Sequence, residues 1–448
     1  MTGNPGTPPG TPPGTTSDRS LFRHADFMKL WTAETISVFG SSISGLAIPL
    51  VAVLILSASA FEVALLGAIE MLPFILFTLP AGAWVDRLRR RPILIAGDLG
   101  RAIVLATIPI AYALGGLTMW QLYLVGFVTG TLTVFFDVAN QSYLPSVVDR
   151  DQLVDGNSKL QISQSAAQIA GPGIAGYLVA ILKAPLAVLL DSLSFVISAG
   201  FIFLIRRPEP PVERQAEDTG AARSSIVTEI REGLGFVLGH RSLRAIAAGT
   251  ATSNLFGNIV FAIFLVYVVR ELGMTPEVIG LVFAVGNIGA LVGAALASRA
   301  ARLFGLGPTI IGSLLLGGFS PLLIALAPAG APIPFLVLSG VLGGISQMVY
   351  NINQVSYRQA ICPPRMQGRM NATVRFLVWG TMPVGSIIGG ILGSTIGLHE
   401  TIWIGAILSL VPAVFPLLSP VRRLREMPAP VDEEPAGGST GGIEGAGA

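Results

Sequence analysis

Long apolar stretches dominate this chain. Twelve of them are long enough to cross the roughly 30 Å hydrocarbon core of a bilayer as an α-helix. They lie near residues 30–56, 61–83, 92–114, 119–141, 157–182 and 184–205, and near 244–268, 277–299, 308–328, 332–353, 372–396 and 399–419. We number these predicted spans 1 to 12, and they predict an all-α membrane protein.

A long polar segment divides the spans into two sets of six, which predicts five regions along the chain. These are an N-terminal tail (1–21), a six-helix bundle (22–205), a cytoplasmic linker (206–243), a second six-helix bundle (244–420) and a C-terminal tail (421–448). The tails are rich in Pro and Gly and can bury little apolar surface, so we expect them to be disordered.

The linker contains a run of apolar residues at helical spacing. This run predicts a helix that either lies on the membrane surface or packs against the bundles. Its residues are Ile226, Ile230, Leu234, Val237 and Leu238.

The two sets of spans resemble each other. Asn140-Gln141 ends span 4 and Asn353-Gln354 ends span 10, and each pair is followed by a Ser, a Tyr and then a Pro. A basic loop and a span rich in Gly and Pro come next in both sets. Internal duplication is common in secondary transporters, so we expect two pseudo-symmetric six-helix bundles.

Composition supports a membrane location and argues against several functional classes. Hydrophobic residues make up 52% of the chain and charged residues only 12%, about half the charged fraction of soluble proteins. With the N-terminus inside, every Lys and Arg except Lys183 and Arg270 falls on the cytoplasmic side. We therefore expect an inner (plasma) membrane protein with both termini in the cytoplasm.

Enzyme chemistry has little support in the sequence. The single Cys and three scattered His residues provide neither a metal site nor a nucleophile with its base, and no phosphate-binding Gly-rich loop is present. The basic residues follow membrane topology and do not indicate nucleic-acid binding. We expect no cofactor and no metal, and we expect a monomer.

Polar residues recur on one face of spans 1, 4, 7 and 10. Polar groups are costly in hydrocarbon, so they favour a shared water-accessible cavity, although hydrogen bonding between helices is the alternative explanation for each. The predicted cavity residues are Ser37, Ser41, Thr133, Asn254, Asn258, Gln347, Tyr350, Asn351 and Gln354.

Three acidic residues within the spans are candidates for proton coupling: Glu34, Glu70 and Asp137. Hydrocarbon disfavours an ionised carboxyl, which makes reversible protonation near neutral pH feasible. A purely structural pairing with an Arg is the alternative. We interpret Asp191, early in span 6, as structural.

The loop after span 2 resembles a known motif. Gly82-Ala-Trp-Val-Asp86-Arg87-Leu-Arg89-Arg90-Arg91 is similar to the G-x-x-x-D-R-x-G-R-R loop of the major facilitator superfamily, with Arg89 in place of Gly. The resemblance implies that this loop stabilises closure at the cytoplasmic side. Asp86 could meet an Arg of the facing half, and the predicted cytoplasmic gate is Gly82, Asp86, Arg87, Arg90, Arg91, Arg369 and Arg375.

A second similarity lies in span 5. Gly171, Pro172 and Gly176 resemble the Gly-Pro motif of antiporters in this superfamily, with Ala175 where Gly is common. This pattern predicts a bend or a tight seam between the halves. The Arg that the family carries in span 4 is absent, and Thr133 and Asp137 occupy that stretch.

The resemblance covers about residues 22–425, and the segments 229–236 and 367–371 are similar to the macrolide-efflux and enterobactin-export branch. It implies a proton-coupled exporter of small organic molecules that works by alternating access, with a small molecule, protons and the bilayer as partners. Three alternatives stay open: an importer or facilitator, a lysophospholipid transporter, and a membrane sensor or assembly partner that transports nothing.

Overall fold

The computed structural model describes residues 21–85, 87–209, 226–363 and 366–428, and these residues contain helices and no strand. The first bundle consists of α1 (Ala25–Leu50), α2 (Ala60–Val85), α3 (Arg90–Ala113), α4 (Met119–Val147), α5 (Leu153–Leu182) and α6 (Ala184–Phe203). The linker helix is α7 (Ile226–Gly239). The second bundle consists of α8 (Arg241–Arg270), α9 (Pro276–Phe304), α10 (Leu306–Ala325), α11 (Ile333–Ile361), α12 (Gln367–Trp379), α13 (Thr381–Thr395), α14 (Leu398–Leu408) and α15 (Val414–Leu417).

The predicted membrane architecture is confirmed. Within the described ranges, 12 helical segments are long and apolar enough to span a membrane. Each predicted span corresponds to one of them, with α12 and α13 forming span 11 and α14 and α15 forming span 12. The predicted tails lie largely outside the described residues, at 1–20 and 429–448.

The two bundles use the same helix pairings, as the internal repeat predicts. In the first bundle, α1 packs on α5 and α6, α4 packs on α2 and α3, and α3 packs on α6. In the second bundle, the equivalent spans make the equivalent contacts: α8 packs on α13 and α14, α11 packs on α9 and α10, and α10 packs on α14. The contacts between bundles are also symmetric, because α2 packs on α13 and α5 packs on α9.

Contacts between the bundles concentrate at one end of the molecule, which we call the far end because the linker helix lies at the other. At the far end, the backbone N–H of Phe61 donates to Ser394 Oγ at 3.1 Å, and Arg270 donates to the carbonyl oxygen of Ala58 at 2.5 Å. A single apolar core joins both bundles there, with Leu50 and Val266 among its buried members.

The opposite end, which we call the linker end, has separate apolar cores. One belongs to the first bundle and two belong to the second. The two bundles therefore pack together at the far end, and their described residues share no apolar core at the linker end.

The predicted linker helix is present as α7. It packs against α12, and Gly233 allows the two backbones to approach because a Cβ there would lie 2.8 Å from the carbonyl oxygen of Arg369. This contact supports the packed alternative over a helix on the membrane surface. The side chains of Ile226 and Ile230 lie outside the described residues.

Candidate functional site

The first and fourth spans of each bundle face a gap between the bundles. Extensive packing between bundles is confined to α2 with α13 and α5 with α9, so α1 and α4 stand apart from α8 and α11 except at the far end. Some predicted cavity residues are exposed: Ser41, Gln347 and Asn351. Thr133, Asn254 and Asn258 are half-buried. Ser37, Tyr350 and Gln354 are buried, which fits the alternative of hydrogen bonding between helices.

Hydrogen bonds explain several of these polar side chains. Tyr350 Oη on α11 lies 2.5 Å from Thr250 Oγ1 on α8, and Asn254 donates to the carbonyl oxygen of Val378 at 3.1 Å. Such bonds join neighbouring helices of one bundle. The exposed members of the polar stripes are therefore better candidates for ligand contact than the buried ones.

A charged pair that sequence reasoning missed lies inside the first bundle. Arg101, near the middle of α3, is 3% exposed, and its Nη2 donates to Asp98 Oδ1 at 2.5 Å. The guanidinium carbon also lies 4.2 Å from the ring centre of Phe136 and 4.1 Å from that of Phe195. The prediction that Arg101 lies on the cytoplasmic side is wrong, because α3 places it in the membrane-spanning part of the bundle. Two opposite charges three residues apart in an apolar span were the signal that could have found it.

Three further carboxyl groups surround this pair. Arg101 interacts electrostatically with Asp137 of α4 and Asp191 of α6, and Glu34 of α1 interacts with Arg101, Asp98 and Asp137. We call these five residues the acid–arginine cluster. They come from four helices, so the fold brings together two of the predicted proton-coupling residues, Glu34 and Asp137.

The members of the cluster differ in their access to solvent. Asp98 and Asp191 are fully enclosed, whereas Asp137 is exposed. Glu34 is hydrogen-bonded by Asn140, but its Oε1 is buried without a partner. Asp191 accepts a hydrogen bond from Ser194 at 3.1 Å. The cluster thus runs from an exposed carboxyl on α4 to enclosed carboxyls between α3 and α6.

Glu70, the third candidate, stands apart from the cluster. It lies on α2 against Gly126 and Gly130 of α4. No hydrogen bond to its carboxyl and no charged neighbour is found among the described side chains. An unpaired carboxyl in this position fits reversible protonation, but it has no link to Arg101.

The predicted gate residues make contacts within their own halves in this conformation. Glu209, after α6, accepts hydrogen bonds from the backbone N–H of Arg90 at 2.7 Å and of Arg91 at 3.3 Å. Arg369 donates to Glu232 of α7, and the Arg375 guanidinium lies 4.6 Å from the ring centre of Trp379. Gly82 lies in the last turn of α2 and Arg87 is exposed, while Asp86 lies outside the described residues.

The segment that follows α6 also forms hydrogen bonds with the first bundle. Asp26 accepts from the backbone N–H groups of Arg206 at 3.2 Å and Arg207 at 2.9 Å. The Arg207 guanidinium donates to Asp149 at 2.8 Å, and this hydrogen bond lowers the pKa of the Asp149 carboxyl.

The predicted Gly-Pro motif forms the seam between α5 and α9. A Cβ on Gly176 would lie 2.9 Å from Cα of Gly280, and Gly171 packs just as closely on Ser42 of α1. Toward the middle of the seam, Asn287 donates to the carbonyl oxygen of Gln168 at 2.5 Å. Small residues are needed here because the helix backbones touch.

In the described part of the chain, no three side chains of His, Cys, Asp or Glu lie close enough together to hold a metal ion.

Comparisons with known proteins agree with the fold and the motifs. Residues 16–435 match the family described as transmembrane secretion effector. The multidrug efflux pump Tap of Mycolicibacterium fortuitum is 28% identical over 387 residues, which cover 83% of this chain and 90% of that protein. Macrolide efflux protein A of Streptococcus pyogenes is 24% identical over 404 residues, covering 89% and 97%.

A solved structure shows the same fold. The crystal structure of a bacterial homologue of the iron transporter ferroportin in the inward-facing state superposes with a TM-score of 0.71 at 16% identity, covering 89% of this chain and 99% of that one. Together with the twelve spans and the symmetric helix pairings, these matches place the protein among membrane transporters and not among enzymes. The chain belongs to the transmembrane secretion effector family of the major facilitator superfamily.

Proposed function

We propose that this transporter exports small organic molecules across the inner (plasma) membrane by alternating access, coupled to proton entry. The distribution of Lys and Arg supports an orientation with both termini, and therefore the linker end, in the cytoplasm. The relatives named as macrolide and multidrug efflux proteins support export as the direction. On this proposal, substrate enters the gap between α1, α4, α8 and α11 from the linker end.

The arrangement of the apolar cores supports alternating access. The bundles share one core at the far end and have separate cores at the linker end. Rocking the bundles about the α2–α13 and α5–α9 contacts would open the far end and close the linker end. When the linker end is closed, the loop at Gly82–Arg91 would meet the region of Arg369 and Arg375 and act as the cytoplasmic gate.

The observation that carries proton coupling is the acid–arginine cluster. It contains four carboxyl groups and one guanidinium, and that guanidinium is already held by Asp98. Charges in a low-dielectric site are costly unless they are paired, so protonation is the simplest way to neutralise the surplus carboxyls. Asp137 is exposed, so protons can reach the cluster through it, and Glu34 interacts electrostatically with it.

Proton binding would also be coupled to conformation. Helices α1, α3, α4 and α6 each supply a member of the cluster, so a change in its charge alters the forces among four helices. We propose that Glu34 and Asp137 each bind and release a proton once per cycle. Glu70 remains a further proton-coupling candidate because its carboxyl has no partner among the described side chains.

The test is transport in proteoliposomes with an imposed pH gradient, using radiolabelled erythromycin and ethidium as probes. We expect the wild type to accumulate a probe in the acidic compartment. Glu34→Gln and Asp137→Asn should abolish this accumulation but retain counterflow, which needs no net proton movement. Asp151→Asn, at an exposed carboxyl outside the spans, is the control and should behave as wild type.

Two results would contradict the proposal. If both cluster variants still accumulate probe, the cluster is not the proton site, and loss of accumulation in Glu70→Gln would then place coupling at Glu70. If the wild type equilibrates probe but never concentrates it under a gradient of either sign, the protein is a facilitator.

A further inference from the structure

An apolar groove lies on the outer side of the first bundle, at the linker end. It has a volume of about 200 Å3 and is formed by α2, α3 and α4. The walls include Trp84, Leu88 and Phe135, and the lining contains no charged residue. Gly97, which has no side chain, also lines the groove. No member of the acid–arginine cluster lines this groove, and none of the predicted cavity residues does.

The groove faces the acyl chains of the membrane. Ala96, which lines it, begins a row of exposed residues on α3 that continues with Leu99 and Ile103, the latter 69% exposed. Exposed apolar rows on a membrane-spanning helix contact lipid. Trp84 is 65% exposed, and an exposed Trp at the end of a span is typical of the membrane–water boundary. An acyl chain can therefore enter the groove directly from the bilayer.

Two exposed Arg residues lie in the loop beside the groove. Leu88 is a lining residue, and its neighbours in sequence are Arg87 and Arg89, both exposed. Neither side chain has a hydrogen bond or ion pair with any described residue. Arg90 and Arg91, at the start of α3, differ, because their side chains contact Glu209 and the carbonyl oxygen of Phe203. Arg87 and Arg89 therefore place two positive charges next to a lining residue, within reach of the headgroup of a lipid whose acyl chain fills the groove.

We propose that this groove binds an anionic phospholipid, with an acyl chain between α2, α3 and α4 and the phosphate against Arg87 and Arg89. The acyl chain supplies no selectivity, because the acyl chain of any lipid can fill an apolar groove in a bilayer. Selectivity comes from the headgroup, since guanidinium groups pair well with phosphate oxygens and are attracted to a net negative charge. A zwitterionic lipid carries its own positive charge and gains less.

Quenching of Trp84 fluorescence tests the proposal on the full chain in phosphatidylcholine vesicles. The groove-specific signal is the difference between wild type and Trp84→Phe. Phosphatidylglycerol with brominated acyl chains should quench this signal at lower mole fraction than equally brominated phosphatidylcholine. We expect a preference of about fivefold, equivalent to about 1 kcal/mol for the net attraction of an Arg to an anionic surface.

The charge-removing variant decides the source of the preference. Arg87→Gln with Arg89→Gln should bring phosphatidylglycerol down to the level of phosphatidylcholine, while Arg422→Gln with Arg423→Gln, at another exposed basic pair, should leave the preference intact. If the first double variant does not fold, raising the ionic strength on the wild type should reduce the preference instead, because salt screens exposed charges. Equal quenching by both lipids in the wild type, or a preference that survives removal of Arg87 and Arg89 or is insensitive to salt, would overturn the proposal.

Discussion

Replacing Arg101 by Met removes the cation of the acid–arginine cluster and keeps a long side chain between the rings of Phe136 and Phe195. Asp98, which is 0% exposed, then loses its partner at 2.5 Å. It would still interact with Asp191, and Asp137 and Asp191 would also lose the positive charge of Arg101. We expect a large loss of stability, because an unpaired charge in the interior is among the most costly defects a fold can carry.

The size of the loss follows from the contacts. Removing one partner of a buried ion pair costs about 3–5 kcal/mol. Arg101→Lys keeps the charge but not the planar guanidinium that stacks on two rings, so we expect a smaller loss of about 2 kcal/mol. The double change Asp98→Asn with Arg101→Met removes both charges of the pair and should recover at least about 2 kcal/mol of the single-variant loss.

The measurement is the free energy of unfolding of purified protein in mixed micelles, titrated with a denaturing detergent. Arg299→Met is the matched control, because Arg299 is exposed on α9 and has no hydrogen bond or ion pair with a described residue. It should change stability by less than about 0.5 kcal/mol. The reasoning about the cluster is refuted if Arg101→Met unfolds within about 0.5 kcal/mol of wild type, or if the double variant is less stable than the single one.

Two further predictions concern the closed far end. A Leu side chain at position 176 has no room beside Gly280, so Gly176→Leu should separate the bundles there, and cysteine probes at the far end should be labelled faster. Gly312→Leu is the control and should be labelled as wild type, because a Cβ at Gly312 would meet no atom within 4 Å. Equal labelling of both variants would contradict the close packing of α5 on α9. Arg270→Gln weakens the 2.5 Å hydrogen bond to the carbonyl oxygen of Ala58 in the other bundle. Charged hydrogen bonds contribute about 1.5–3 kcal/mol, so we expect the far-end-open population to rise by about tenfold or more, and unchanged labelling would show that this contact is not a latch.

The spans, the repeat and the superfamily follow from the sequence because each depends on local or periodic features. Apolar length decides whether a helix can cross a bilayer, whatever its neighbours are. The duplicated order of Asn140-Gln141 and Asn353-Gln354 within their bundles predicts equivalent helix contacts, and the fold has them. The loop motif at Gly82 likewise needs no tertiary information to be recognised.

The candidate site was only partly predictable, because neighbours in space decide what a polar residue does. Ser41 and Ser37 lie on the same predicted stripe, yet Ser41 is exposed and Ser37 is buried. Tyr350 matched the cavity pattern, but its hydroxyl forms a hydrogen bond with Thr250 on α8. Helical spacing defines a face of a helix, but packing decides whether that face meets a cavity or another helix.

The sequence by itself determined that this chain is a twelve-span, two-bundle membrane protein with acids inside the spans, because hydrocarbon imposes strict and local limits on composition. Only the tertiary structure decided which of those acids belong together. Glu34, Asp98, Asp137 and Asp191 are far apart in the chain, and they meet around Arg101 because α1, α3, α4 and α6 pack side by side in one bundle. Electrostatic energy depends on distance in space and on the exclusion of water, and neither quantity is encoded at any single position.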